Sequence, residues 1–131
     1  SPPQGNPALT DGIRGDWTYG DGSWQGFISD TRLDVTIDME KETSIHSVTA
    51  AFMQVVGAEV FLPETVVISI SDDGTHFTEL RKQHFEVSKE TPIRFTDISW
   101  QGEAKGRYVR YQAQAGSEFG GWIFTDEIIV K

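Results

Sequence analysis

The chain has 131 residues, no cysteine and a net charge of −9, with an isoelectric point near 4.6. The length suits one ordinary domain, and the balance of 37% hydrophobic to 24% charged residues is that of a globular chain rather than a disordered one. The acidic balance has the wrong sign for binding nucleic acid or anionic lipid headgroups, whose partners must be cationic. The missing cysteines remove disulfides, thiolate zinc sites and cysteine nucleophiles together.

No apolar run is long enough to span a bilayer. Residues 1–7 (Ser-Pro-Pro-Gln-Gly-Asn-Pro) have no charged start and no apolar stretch, so they read as a linker rather than a signal peptide. Residues 8–131 are then the domain, and the whole reads as a domain from a longer protein. The segment from Thr10 to Arg32 shows no convincing strand. It carries Trp17, Tyr19, Trp24 and Phe27 among Gly12, Gly15, Gly20, Gly22 and Gly26. Structureless loops longer than about 12–15 residues are usually functional. Here the aromatics supply large rigid surfaces and the glycines permit sharp turns.

Beyond the loop, alternation is the dominant signal. Leu33, Val35, Ile37 and Met39 are apolar, and Asp34, Thr36 and Asp38 between them are polar, which predicts a half-buried strand. Val48, Ala50 and Phe52 fall on one side of a second strand. Val66, Ile68 and Ile70 share the inner face of a third, Thr65 to Ser71. Asp72-Asp73-Gly74 predicts a tight turn, with Phe77 to Arg81 returning as a hairpin. From Ile93 to Trp100 the phase slips: Ile93 and Phe95 share one parity, Ile98 and Trp100 the other. A β-bulge near Thr96-Asp97 would account for the slip. Val109, Tyr111, Ala113 and Ala115 point inward from the next strand, and Trp122 to Val130 is apolar on both faces. No helical stripe appears, so the fold class is all-β: a jelly-roll β-sandwich of about eight antiparallel strands.

Several segments are similar to one family. Leu9-Thr10-Asp11-Gly12, Asp34-Val35-Thr36-Ile37-Asp38, Leu62-Pro63-Glu64-Thr65-Val66 leading to Ile70-Ser71-Asp72-Asp73-Gly74, Arg107-Tyr108-Val109-Arg110 and Trp122-Ile123-Phe124-Thr125-Asp126-Glu127-Ile128 occur in order and at suitable spacing. Together they resemble galactose-binding-like domains, the coagulation factor 5/8 type C (discoidin) fold and its family 32 carbohydrate-binding modules. Asp21 to Phe27 and Phe61-Leu62-Pro63 resemble modules attached to bacterial β-N-acetylhexosaminidases of the chitobiase type. The resemblance implies a five-on-three sandwich, a structural calcium ion, no catalysis within the domain and a location outside the cytoplasm: extracellular, periplasmic or on the cell surface.

Calcium takes six to eight oxygen ligands. Asp11 and Glu127 match the family's carboxylate ligands, Asp16 joins them as a candidate, and carbonyls around Ala8, Asp16 and Asp126 would complete the shell; alternatively Asp11 caps a turn and Glu127 is a solvated strand residue. A pyranose is recognised by an aromatic platform and convergent hydrogen bonds. The candidate platforms are Trp17, Tyr19 and Trp24, with Phe119 of the Gly116–Gly121 loop closing the pocket from the other side and Arg14, Gln54, Glu59 and Arg110 as polar partners. Trp24 and Trp122 read as buried scaffold, and Trp17, Tyr19 and Phe119 as exposed. The His/Arg/Asn cluster of many galactose binders has no counterpart, since His46, His76 and His84 sit on strand-like or turn segments.

Two functions follow from these residues. One is a carbohydrate-binding accessory module of a larger secreted glycoside hydrolase, with a glycan of galactose or N-acetylhexosamine type and the parent catalytic domain as partners. The other is an interaction domain that packs on its parent enzyme without binding sugar. Catalysis has little support: the histidines lack metal-ligand spacing and no G-x-S-x-G elbow is present.

Overall fold

The computed structural model describes residues 13–14, 23–116 and 122–131, with the backbone alone for 13–14, 23–30 and 126. Among these are seven strands: β1 (Ile13–Arg14), β2 (Ser23–Asp30), β3 (Arg32–Val55), β4 (Thr65–Ser71), β5 (Thr78–His84), β6 (Ile93–Gln114) and β7 (Ile123–Val130). Every pairing is antiparallel, and the lateral order is β1-β2-β7-β3-β6-β4-β5.

β3 and β6 are long because each serves both layers of the sandwich. Their ladder runs from Arg32↔Gln114 to Val55↔Ile93, with register shifts between Asp38 and Thr43 and between Ile45 and Ser47. The ribbon folds over at those shifts. Glu40 takes a left-handed φ of 72° there, and the Asp38 carboxylate accepts its N–H at 2.8 Å. On β6, Gly106 sits at the fold. A Cβ at this position would lie 2.6 Å from the Ile70 side chain and 3.0 Å from the Ser71 carbonyl oxygen, so only glycine lets β4 approach.

Folding the ribbon makes its halves face each other. Leu33, Val35, Ile37 and Met39 from the first half of β3 share one buried cluster with Ile45, Val48, Ala50 and Phe52 from the second half. Val66, Ile68 and Ile70 of β4, Val109, Tyr111 and Ala113 of β6, and Ile123, Ile128 and Val130 of β7 complete it. The alternation read from sequence therefore points inward at Leu33 to Met39, Val48 to Phe52, Val66 to Ile70 and Val109 to Ala113. Tyr111 ties the layers: its ring lies 6.0 Å from that of Phe52, and its hydroxyl donates to the Ile98 carbonyl at 2.8 Å, thirteen residues back along the same strand. Arg81 of β5 donates to the neighbouring Ser99 carbonyl.

Four expectations change. The two strands predicted within 33–52 are one, as are those within 93–115. Ser23–Asp30, read as loop, pairs with β7 and is a strand. No bulge occurs at Thr96-Asp97: Phe52↔Thr96 and Ala51↔Asp97 are in unbroken register. The phase slip instead reports a change of face. Ile98 is buried, whereas Ile93 and Phe95 point outward on the opposite face. The β4–β5 connection is also longer than the Asp72–Gly74 turn: β4 ends at Ser71 and β5 begins at Thr78, not Phe77. Ser71 and Asp73 organise it, the Ser71 hydroxyl accepting the Gly74 N–H at 2.9 Å and the Asp73 carboxylate accepting those of Thr75 and His76 at 2.8 Å each.

Burial pushes the Tyr111 phenol well above its ordinary value of 10.0; Asp97 adds to the shift and Arg81 opposes it. The folded state therefore holds this proton more tightly than the unfolded chain, and the resulting stability is present below pH ~10 and lost as pH rises above it. Tyr111→Phe orphans the Ile98 carbonyl and is expected to cost ~1–2 kcal/mol at neutral pH in urea unfolding, while flattening the stability loss above pH ~10. An unchanged alkaline limb would show that Tyr111 does not titrate with unfolding.

Candidate functional site

Because the β3–β6 ribbon folds back, its two open ends, Arg32/Gln114 and Val55/Ile93, come to the same end of the sandwich. β7 confirms this: Ile123 pairs with Asp30 and Trp122 bridges Val60. The connections 56–64 and 85–92 therefore gather at this end, together with Ala115, Gly116 and Trp122.

The segment after β3 is built from backbone. Val56–Ala58 forms one 3-10 turn, and Glu59 closes it in the left-handed region at φ 60°. The Glu59 N–H donates to the Val56 carbonyl at 2.9 Å. Val55 and Val60 exchange N–H···O bonds of 2.9 and 3.1 Å, the Phe61 N–H donates to the Trp122 carbonyl at 2.7 Å, and the Trp122 N–H donates to the Glu59 carbonyl at 2.8 Å. Val56 is tied to Pro92 by a 2.9 Å bond.

Gln54 locks this assembly from inside. Its side chain is 1% exposed. Its amide nitrogen donates to the Ser88 and Thr91 carbonyls at 2.8 and 2.9 Å, and its amide oxygen accepts the Leu62 N–H at 3.3 Å. Both ends of the amide are used, so Gln54 is a staple between two loops and not a ligand contact. This corrects its reading as a sugar partner.

Arg110 is corrected likewise. Asp34 accepts its guanidinium through two bonds of 2.9 and 2.7 Å, and the Phe77 ring lies 5.5 Å beneath it. Arg107 is held the same way by Asp38 (2.7 and 2.9 Å) and stacks 4.9 Å over Tyr108. Hydrogen bonding from Arg107 holds the Asp38 carboxyl below its ordinary range, against the opposing effect of partial burial. These bidentate pairs lie on the outer face of the β3–β6–β4 layer, away from the loop end. Of the polar candidates whose side chains are described, Glu59 is both exposed and at the loop end, where its carbonyl accepts the Trp122 N–H.

The loop end also carries apolar surface that the sequence reading misplaced. Trp122, expected to be buried, is 46% exposed, Ile93 63% and Phe95 72%. Trp122 bridges Val60, Val60 bridges Val55, and Val55 pairs with Ile93, so the four share one cross-strand row. Met53 and Phe95 form the pair beside it. At ~4.8 Å per strand the row is roughly 14 Å long. The signal that would have found it was the phase slip itself: apolar residues on both parities of a strand imply apolar surface on both faces.

Arg14 and Trp24 lie on β1 and β2, but their side chains are outside the described residues, as are Trp17, Tyr19 and Phe119 entirely. Asp11 and Asp16 also lie outside them, and Asp126 is described by backbone only. Glu127 sits on β7 opposite Gln25, beside a register shift between Gln25 and Ile28, and β1 pairs with β2 at Phe27 and Ile28. Ile13–Arg14 thus lies beside β2, one strand from Glu127. Carboxylates with nearby carbonyls are a donor set that suits calcium.

Replacing Gln54 by Leu keeps the shape but strands two carbonyls and one N–H. Gln54→Leu is expected to destabilise the domain by ~1–3 kcal/mol, seen as a lower urea midpoint; an unchanged midpoint would refute the staple.

Among solved structures, the chain is similar to a Clostridium perfringens module, CpGH89CBM32-6, at 18% identity and a TM-score of 0.57, covering 97% of this chain and 87% of that one. It is similar to CpGH89CBM32-5 from the same organism, solved in complex with GalNAc-β-1,3-galactose, at 16% identity, TM-score 0.55, and coverage of 79% and 73%. It is also similar to the C-terminal domain of a chitobiase from Bacteroides fragilis at 16% identity, TM-score 0.56, and coverage of 80% and 71%. No curated protein matches the chain. The fold is thus that of the discoidin-type β-sandwich. The model of the F5/8 type C domain matches residues 3–128, nearly the whole chain, and the protein belongs to that family.

Proposed function

We propose that this is a non-catalytic carbohydrate-binding module of a larger bacterial glycoside hydrolase that acts outside the cytoplasm, and that its glycan lies on the exposed row at the loop end. The carrying observation is that row. An acidic, polar domain leaves Trp122 and Phe95 in solvent at the end where its connections gather. An indole offers a flat face for the C–H side of a pyranose, and Glu59 next to it offers a carboxylate to ring hydroxyls. Family membership and the solved neighbour bound to GalNAc-β-1,3-galactose support a ligand of galactose or N-acetylhexosamine type. The chitobiase domain supports a glycosidase parent. Trp17, Tyr19 and Phe119 belong to the proposal as further walls of the site. The carboxylates Asp34 and Asp38 are locked by arginines, and Asp38 is held ionised, which is the wrong state for a general acid.

A second reading has its own support. Val55, Val60, Met53 and Ile93 extend the row as an aliphatic strip, and aliphatic strips suit protein partners better than sugars. In this reading the face packs on the parent catalytic domain. Titration with galactose, N-acetylgalactosamine and N-acetylglucosamine separates the two. Sugar binding that Trp122→Ala weakens roughly tenfold, with Ile93→Ser nearly silent, is the expected result. No binding of any of the three at millimolar concentration would leave the protein-packing reading, with Ile93→Ser then disrupting the interface.

We also propose that Asp11, Asp16 and Glu127 hold a structural Ca²⁺ that ties the first loop to β7. A ligand bound only by the folded state stabilises it by mass action, by ~2.7 kcal/mol at one hundred times its dissociation constant. Chelation is therefore expected to lower the melting temperature, with Asp11→Ala abolishing the response. A melting temperature indifferent to both calcium and chelator would remove the ion from the account.

A further inference from the structure

The outer face of the β3–β6–β4–β5 layer is ordered in cross-strand rows. The row nearest the loop end is Arg32, Gln114, Thr65 and His84, and the next is Asp34, Gln112, Val67 and Lys82. A shallow cleft of about 160 Å³ opens between them, lined by Arg32, Thr65, Val67, Gln112 and Gln114, with Leu33 and Ala113 at its floor. Pockets for drug-sized ligands are roughly 300–1,000 Å³, so this one has room for a single small residue.

Its electrostatics run against the rest of the molecule. The chain carries −9 overall with histidine neutral, yet two cationic side chains, Arg32 and Lys82, stand on these two rows. Arg107 and Arg110 further along the same face are each consumed by an aspartate. Arg32 and Lys82 are exposed and have no ion pair or side-chain hydrogen bond among the described residues. Of the nearby carboxylates, Asp34 is held by Arg110, and Glu64 lies 4.0 Å from the His84 ring. The amides of Gln112 and Gln114 and the Thr65 hydroxyl carry no hydrogen bond among the described residues either.

We infer that this cleft is a second binding site, separate from the aromatic row, for a carboxylate-bearing sugar of the hexuronate type. A planar carboxylate matches the fork of the Arg32 guanidinium, a geometry that an ammonium cannot reproduce. Lys82, on β5, adds positive charge on the opposite side. The glutamine amides and Thr65 take ring hydroxyls, and Val67 supports the C–H face. A neutral sugar would leave Arg32 unused, and a bare carboxylate would leave the amides unused. The choice of a sugar over other hydroxylated carboxylates rests on the carbohydrate-binding reading; the anion site does not.

The test is a titration of the intact domain, followed by NMR chemical shifts, with methyl galacturonate glycoside in its free-acid form, methyl galactoside and acetate. Galacturonate is expected to shift the Thr65, Gln112 and Gln114 resonances and to weaken with salt. Arg32→Ala should lower its affinity roughly tenfold or more, Arg32→Lys should recover only part of the loss, and Trp122→Ala should leave it unchanged. The site is overturned if galacturonate binds no better than acetate or the neutral glycoside, or if its binding survives Arg32→Ala. If no neutral sugar bound at the Trp122 row while galacturonate still bound through Arg32, the loop-end reading would fall and this one would stand.

Discussion

The pairing of β3 with β6 is the constraint on which the structure depends. It is a long two-stranded ribbon in which each strand is buried on one face, and a ribbon of that length has no single layer to belong to. Folding it in half solves the problem, because each half then covers the other's apolar face. The fold needs a place where the ladder breaks and the backbones come close. The register shifts after Asp38 and Ile45 provide the first, and Gly106 under Ile70 the second. Tyr111 then pins the halves together through the Ile98 carbonyl.

The same fold determines where function can reside. Residues 32 and 55, or 93 and 114, are far apart along their strands yet meet at one end of the sandwich. The connections that converge there are held mainly by backbone bonds and by Gln54, which leaves side chains such as Trp122 and Glu59 free to face outward. The two outer surfaces differ in character. One carries the apolar row from Trp122 to Ile93. The other carries paired arginines and aspartates, and beside them the cationic cleft. If both proposed contacts hold ligand, two weak and chemically distinct sites would reinforce each other through tethering.

Much of the core was legible in the sequence, because strict alternation has one physical meaning in a two-layer protein. Leu33, Val35, Ile37 and Met39 point inward as their spacing requires, as do Val66, Ile68 and Ile70. What alternation does not encode is whether two strands are joined, since the bend in β3 costs no break in pattern longer than a turn. It also misled at Ile93 and Phe95. Apolar residues on the wrong parity were read as a bulge because burial was assumed, whereas they are surface. Gln54 and Arg110 were misread for a related reason: a long polar side chain looks alike in sequence whether it faces a ligand or satisfies buried carbonyls and a neighbouring carboxylate. Their partners, Ser88, Thr91 and Asp34, lie 20 or more residues away in each case. For Trp122 the motif around it suggested scaffold, and its bridge to Val60 does serve that role through the backbone while the indole stays in solvent.

The central claim is that the exposed row at the loop end is a ligand face. Mapping backbone and indole resonances during titration with a galactosyl disaccharide tests it most directly. The account predicts shifts confined to Trp122, Glu59, Val60 and their neighbours on the 55–62 and 85–95 segments. Shifts located elsewhere, or none at saturating sugar, would contradict it.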